Sequence, residues 1–370
     1  MSRRHTEIED LTDFDDRIGL TRSLNGWFLQ SVDLSERSGP LSERDVTGAV
    51  FLGCTFADGV ENLLRLRGAL IFPSLPQAPF NPYRASLYDA DELYGDGPYS
   101  SGTDAAVYAW SQHWHREHDL RGDLAITLHD HAITEALDDA IGPDVVPETR
   151  LVGVMGGHAL RRGEPGYRQA CELGARLTEA GRIVLTGGGP GAMEAANLGA
   201  YLSGQDDPER ACHEALAVLA EHADFHHDLD GWAAAAMEVR RRWPAATAGH
   251  SVGIPTWFYG HEPPNAFATR IAKYFTNALR EDTLLARCRG GIIYLPGAAG
   301  TVQEVFQAVT ENYYAAHEDN IAPLVLVDTE HWTRRLPVWP LLQALGQDRA
   351  MGERIHCVDT VDQALAVLTG

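Results

Sequence analysis

Leu151-Val152-Gly153-Val154-Met155-Gly156-Gly157, followed by Arg182-Ile183-Val184-Leu185-Thr186-Gly187-Gly188-Gly189-Pro190-Gly191, sets the fold class of this 370-residue chain. Each is a short apolar run that empties into glycines, and a helix-compatible stretch from Pro165 to Ala180 separates them. Short apolar runs bounded by turn signals fit strands buried on both faces. The order is therefore strand, helix, strand, glycine loop, helix. Further runs at Ser251 to Ile254, Gly291 to Leu295, Pro323 to Val327 and Arg354 to Val358 continue the alternation. This predicts an α/β fold: a parallel sheet with helices on both faces, whose ligands sit beyond the carboxyl ends of the strands.

The expected domain runs from residue 146 to 370. Within it, residues 204 to 250 are polar, alanine-rich and read as a helical insertion. Residues 1 to 145 lack regular βα alternation. Their short apolar stretches, Gly48 to Gly53 and Gly68 to Pro73, are separated by polar turns and predict a mixed accessory region.

Two loops carry the candidate chemistry. In Gly187-Gly188-Gly189-Pro190-Gly191-Ala192-Met193 the glycines permit close backbone approach, and the exposed N–H groups of the following helical turn attract an anion. A tight strand-to-helix turn without a ligand explains the glycines nearly as well. The second loop, Pro296-Gly297-Ala298-Ala299-Gly300-Thr301-Val302-Gln303-Glu304, again leaves an apolar strand and enters a helix with apolar residues at helical spacing. Thr301-x-x-Glu304 also matches a capping box, in which the glutamate only satisfies a backbone donor. On spacing alone, capping is the commoner outcome.

Together the loops resemble the Lonely Guy family of phosphoribohydrolases, the lysine decarboxylase-like Rossmann proteins, and most of all their larger bacterial relatives that cleave nucleoside monophosphates. The family pattern PGGxGTxxE is matched by Pro296 to Glu304, with Ala298 in place of the second glycine, and GGGxxGxM resembles Gly187 to Met193 with one residue fewer before Gly191. The similarity covers about residues 150 to 370. It implies a Rossmann-like domain that hydrolyses the N-glycosidic bond of a nucleoside 5′-monophosphate, giving free base and ribose 5-phosphate. It further implies that Glu304 is the catalytic carboxylate, that Gly300 and Thr301 hold phosphate, and that an arginine of the preceding helix assists. Arg280 is the nearest match, although ungapped alignment puts Glu281 in that column; Arg287 is a fallback. Gly156, Gly157, Gly187, Gly188, Gly189, Gly191, Met193, Pro296 and Gly297 complete the expected substrate site. Tyr259-Gly260-His261-Glu262-Pro263-Pro264-Asn265 resembles an EPPN segment of the larger relatives, so Glu262 and Asn265 are candidate rim residues, though a plain proline-rich turn fits as well. Trp257 and Phe258 are candidate stacking residues whose commoner fate is core packing.

Composition narrows the alternatives. Fifty-two acidic against thirty basic residues give a formal charge of −22, which argues against a nucleic-acid polymer as partner. A small phosphorylated ligand remains compatible with local N–H groups and one or two arginines. No run reaches the roughly 18 apolar residues of a membrane span, and the first residues lack the apolar stretch of a secretory signal, so a cytoplasmic protein is expected. The five cysteines form no CxxC pair, and His113, His115, His118, His129 and His131 read as a solvated helical face; no metal is expected. Decarboxylation needs an electron sink such as pyridoxal phosphate on a lysine. The chain has a single lysine, Lys273, in what reads as a helical stretch without a cofactor motif, so no cofactor is expected. Family resemblance implies a homodimer or higher assembly. The alternative function is a non-catalytic nucleotide-binding or regulatory protein of the same fold.

Overall fold

The computed structural model describes residues 6–75, 78–117, 119–258 and 262–369. The chain divides into two compact units, one built from residues 1–86 and 112–136, the other from 87–111 and 137–370.

In the first unit β1 (Thr6–Ile8), β2 (Trp27–Gln30), β3 (Val50–Leu52) and β4 (Leu70–Phe72) form one parallel sheet in the order β1-β2-β3-β4. Register lines up Ile8 with Leu29, Leu29 with Phe51 and Phe51 with Ile71, and all four are buried. One column of apolar side chains thus runs through the stack and forms its core. Gly26, Gly48 and Gly68 each precede a strand, take φ of 77°, 76° and 91°, and are linked by Gly26 N–H to Gly48 O (3.2 Å) and Gly48 N–H to Gly68 O (3.1 Å). A turn repeated at a period of roughly 20 residues is the signature of stacked coils. The region is more regular than its sequence suggests, because the short helices between strands vary and hide the repeat.

In the second unit seven parallel strands stand in the order β11-β10-β9-β5-β6-β7-β8. They are β5 (Leu151–Met155), β6 (Ile183–Thr186), β7 (Ser251–Gly253), β8 (Arg270–Ile271), β9 (Ile292–Tyr294), β10 (Leu324–Val327) and β11 (Ile355–Val358). The expected α/β fold is present, a parallel sheet with helices on both faces. β5, buried along its whole length, lies at the centre because an all-apolar run is stable only when covered on both sides. The chain winds outward from β5 to β8, then returns to β9 on the other flank of β5 and winds outward again. That reversal opens a crevice at the carboxyl ends of β5 and β9. Helices Pro208–Ala220 and Leu229–Arg242 occupy the stretch expected to be a helical insertion. The two-residue strand β8 is an addition to the sequence reading, and Lys273 lies just past it in irregular chain rather than in a helix.

Gly48→Ala tests the coil turn. A Cβ at Gly48 would meet the Asn25 amide nitrogen at 2.8 Å on a left-handed backbone. The expected cost is about 1–2 kcal/mol, read as lost hydrogen-exchange protection across β2 and β3. Unchanged protection would contradict the assignment.

Candidate active site at the carboxyl ends of β5, β6 and β9

Three loops meet at the crevice. Gly156 and Gly157 follow β5, the triplet Gly187 to Gly189 follows β6, and Pro296-Gly297 follows β9. Gly157 N–H donates to Pro296 O at 3.1 Å, and Ala192 N–H to Gly157 O at 3.2 Å, so the loops are tied backbone to backbone. Gly191, with φ 74°, is the N-cap of helix Ala192–Leu202, and the buried Met193 lies against the glycine triplet.

Helix Ala299–Tyr313 starts at Ala298, which makes no side-chain cap hydrogen bond. Thr301 is therefore the third helical residue rather than the cap, and Glu304 is not the far partner of a capping box. Its side chain is buried instead. Ala298 has φ −123°, on the negative side where an alanine methyl carries no left-handed strain. The departure from the family glycine leaves the loop intact. The first turn of this 15-residue helix, with Gly300 exposed and Thr301 buried beside Gly297, points its free N–H groups out of the helix.

Arg280, on helix Asn277–Arg287, organises the site. Its Nε donates to Ile254 O at 2.7 Å and its Nη2 to Gly187 O at 3.1 Å. A Cβ at Gly187 would fall 2.3 Å from Nη2, so only glycine admits the guanidinium here. The remaining arm, Nη1, lies 3.7 Å from Glu304 Oε1 and 3.8 Å from Glu281 Oε1. Both distances exceed a hydrogen bond, and no hydrogen bond from Nη1 is formed among the described residues. Burial pushes the Glu304 carboxyl up to about 7, against the pull of Arg280, and the Glu281 charge adds to the rise.

Of the other candidates, Asn265 and Glu262 lie against the glycine triplet. Asn265 is fully buried: its N–H donates to Gly188 O (2.7 Å), its amide to Gly189 O (3.2 Å) and to Asn197 (3.0 Å), so it holds the glycine loop from behind. Glu262 is partly exposed, 3.8 Å from His158 Nδ1. Tyr259, Gly260 and His261 lie outside the described residues. Arg287 pairs with Asp138 and does not face the crevice. Trp257 is buried, donates to Asp104 Oδ1 at 2.9 Å and packs on Phe275, while Phe258 is half exposed. No group of acidic, histidine or cysteine side chains that could hold a metal occurs among the described residues. A depression of about 540 Å³ adjoins the crevice at Leu295 and Pro296. A larger one, about 970 Å³, surrounds Ile355 at the opposite end of the sheet and contains neither glycine loop. Here chemistry marks the site better than volume does.

Sequence reasoning missed two buried networks. Arg162 makes a two-pronged pair with Glu194, which also accepts from Tyr167 at 2.9 Å, and the guanidinium stacks 4.0 Å from the Trp232 ring. Lys273 Nζ lies 2.6 Å from Asp104 Oδ1, with Tyr99 on the other carboxylate oxygen. The one available signal was that Lys273 is the sole lysine of the chain.

A parallel sheet with two glycine loops, a helix N-terminus and a buried arginine beside a carboxylate defines a Rossmann-like protein whose candidate site lies at the carboxyl ends of its strands. Residues 233–368 match the family described as possible lysine decarboxylase, and residues 149–205 match the SLOG cluster4 family. Over those two stretches the chain resembles lysine decarboxylase-like, Lonely Guy-like Rossmann proteins. No curated protein matches it. Among solved structures it is similar to the molybdenum cofactor binding protein of the phototrophic bacterium Rippkaea orientalis, at 18% identity and TM-score 0.33, covering 59% of this chain and 94% of that one. The Moco carrier protein of Chlamydomonas reinhardtii gives 18%, 0.34, 59% and 94%, and the structural-genomics target TM1055 gives 19%, 0.36, 59% and 97%.

Two outcomes are expected. Lys273→Met strands a buried Asp104 charge and should cost about 3–5 kcal/mol, whereas Lys273→Met with Asp104→Asn, which removes that charge and keeps an acceptor for the Trp257 N–H, should cost clearly less; equal losses in urea titrations would refute the pairing. Because the folded Glu304 value lies above its ordinary 4.5, the native state holds that proton more tightly. The stability this lends is complete below pH 4.5 and lost as pH rises through about 7. Glu304→Gln should therefore gain on wild type across that window, by up to about 3 kcal/mol at pH 8, less whatever Arg280 loses with its partner. A pH-independent difference would contradict the burial.

Proposed function

We propose that the chain hydrolyses the N-glycosidic bond of a nucleoside 5′-monophosphate, consuming water and releasing free base and ribose 5-phosphate. The observation that carries this reading is Arg280, whose guanidinium joins the glycine loop after β6 to the Glu304 carboxylate on the helix after β9. Neither loop alone distinguishes a ligand site from a tight turn. Joined by a buried cation, with an open arm facing a carboxylate, they make a cleft suited to a phosphorylated ribose.

In this reading the 5′-phosphate sits at the N-terminus of helix Ala299–Tyr313, on the N–H groups near Gly300 and Thr301. The glycosidic bond breaks through a state with positive charge on the ribose ring, which a carboxylate stabilises. A carboxyl pushed up to about 7 is also suited to take a proton from the attacking water at neutral pH. Arg280 offers its free N–H groups to the ligand while its other two nitrogens fix the loops. A homo-oligomer and a cytoplasmic setting belong to the same proposal, from the family resemblance.

The test is a panel of nucleoside monophosphates with free base and ribose 5-phosphate both measured. Release of the two in equal amounts is expected. Glu304→Gln should lower kcat at least 100-fold, and Arg280→Ala by about 10²–10³. Ligand-induced thermal stabilisation without turnover across the panel would replace the hydrolase reading with a nucleotide-binding one, and full activity in Glu304→Gln would remove that residue from the mechanism.

A further inference from the structure

Arg280 faces two carboxylates, and only Glu304 has been given a part. Glu281 stands next to it on helix Asn277–Arg287, is buried, and is fixed from the neighbouring helix by the Gln303 amide, which donates to its Oε2. That anchor sets its other oxygen, Oε1, 3.8 Å from Arg280 Nη1, within 0.1 Å of the 3.7 Å that separates the same nitrogen from Glu304. Nε and Nη2 are committed to Ile254 and Gly187, so the guanidinium cannot swing wholly to either acid.

We infer that Glu281 is a positioning residue of this site: by drawing on the arm of Arg280 that faces Glu304, it keeps the cation shared and leaves Glu304 ready to take up a proton. The inference rests on the hydrolytic reading for its use in turnover, but not for its electrostatics. A carboxylate with a guanidinium to itself is held ionised and is a poor base. Two carboxylates around one guanidinium place a net negative charge in a buried site, and that excess favours protonating one of them. Glu281 is held by an amide donor, whereas the described residues show no such donor on the Glu304 carboxyl, and it is Glu304 whose proton affinity is raised. The other groups packed around Glu304 do not compete. Tyr294 of β9 donates to the Glu304 backbone carbonyl at 3.3 Å, and burial pushes its hydroxyl far up; burial does the same to the Cys288 thiol. Both stay neutral near pH 7. Glu311 lies two turns further along the helix of Glu304, and Asp282 faces outward against Gln307.

The experiment titrates the full chain labelled with 13C at the glutamate carboxyls, using Glu304→Gln to assign the Glu304 resonance. In Glu281→Gln the Glu304 midpoint should fall by about one pH unit, and the acid limb of kcat/KM against pH on the nucleotide turned over should move with it. Glu281→Asp, which keeps the charge, should restore most of the wild-type midpoint; a merely structural residue would not show that pattern. Glu281→Ala, which removes the same charge without the amide shape, gives the same comparison if Glu281→Gln does not fold, with a downward shift again expected. An unchanged midpoint in either variant overturns the inference. A shifted midpoint in a protein that turns over no nucleotide upholds the coupling and removes only the hydrolytic reading.

Discussion

A buried guanidinium is the constraint on which the site depends. Arg280 must be desolvated to lie between the strands and the helices, and this is tolerable only if its donors find acceptors. Two are backbone carbonyls, Ile254 O after β7 and Gly187 O after β6, which fixes the spacing of those loops. The third arm is balanced by carboxylates from two helices. The glycine at 187 follows from this arrangement, since any side chain there would occupy the place of the guanidinium. So does the elevated proton affinity of Glu304, because a carboxyl brought that far from water is only partly compensated by a shared cation.

The centre of the sheet was legible because β5, β6 and β9 are mainly apolar runs that lead into glycine or proline, a pattern that survives without any knowledge of tertiary contacts. β8 was not, since two residues carry no periodicity. The coils of the first unit were hidden for a different reason. Their inward residues Leu29, Phe51 and Ile71 recur once per coil, and the connecting helices differ in length, so no window of local sequence contains the repeat. At the site, Glu304 and Arg280 were readable from motif resemblance. Whether Glu304 capped a helix was not, because capping depends on where the helix begins, and it begins at Ala298 rather than Thr301. Asn265 and Trp257 could be either ligand groups or structural ones in a linear reading; in the fold their donors go to Gly188, Gly189, Asn197 and Asp104.

Charge is organised on two scales. The chain as a whole is strongly acidic, at −22, yet its buried cations are placed one at a time, each with specific partners. Arg162 sits with Glu194 under Trp232, Arg240 with Asp91 and the Ala266 carbonyl, and Arg280 at the crevice. Buried polar groups of this kind add little net stability when complete and cost much when broken.

The solitary lysine gives the molecule an unusual chemical surface. Lys273, the one lysine, is sealed against Asp104 and the Trp257 ring, and apart from the histidines every other basic side chain is an arginine. Acyl donors, reactive aldehydes and amine-directed cross-linkers therefore meet no lysine on the outside of the folded protein. Guanidinium groups also keep their charge far into alkaline solution. The exterior thus offers no lysine amine to such electrophiles, and the charge of its arginines stays fixed at pH values where a lysine-rich surface would be titrating.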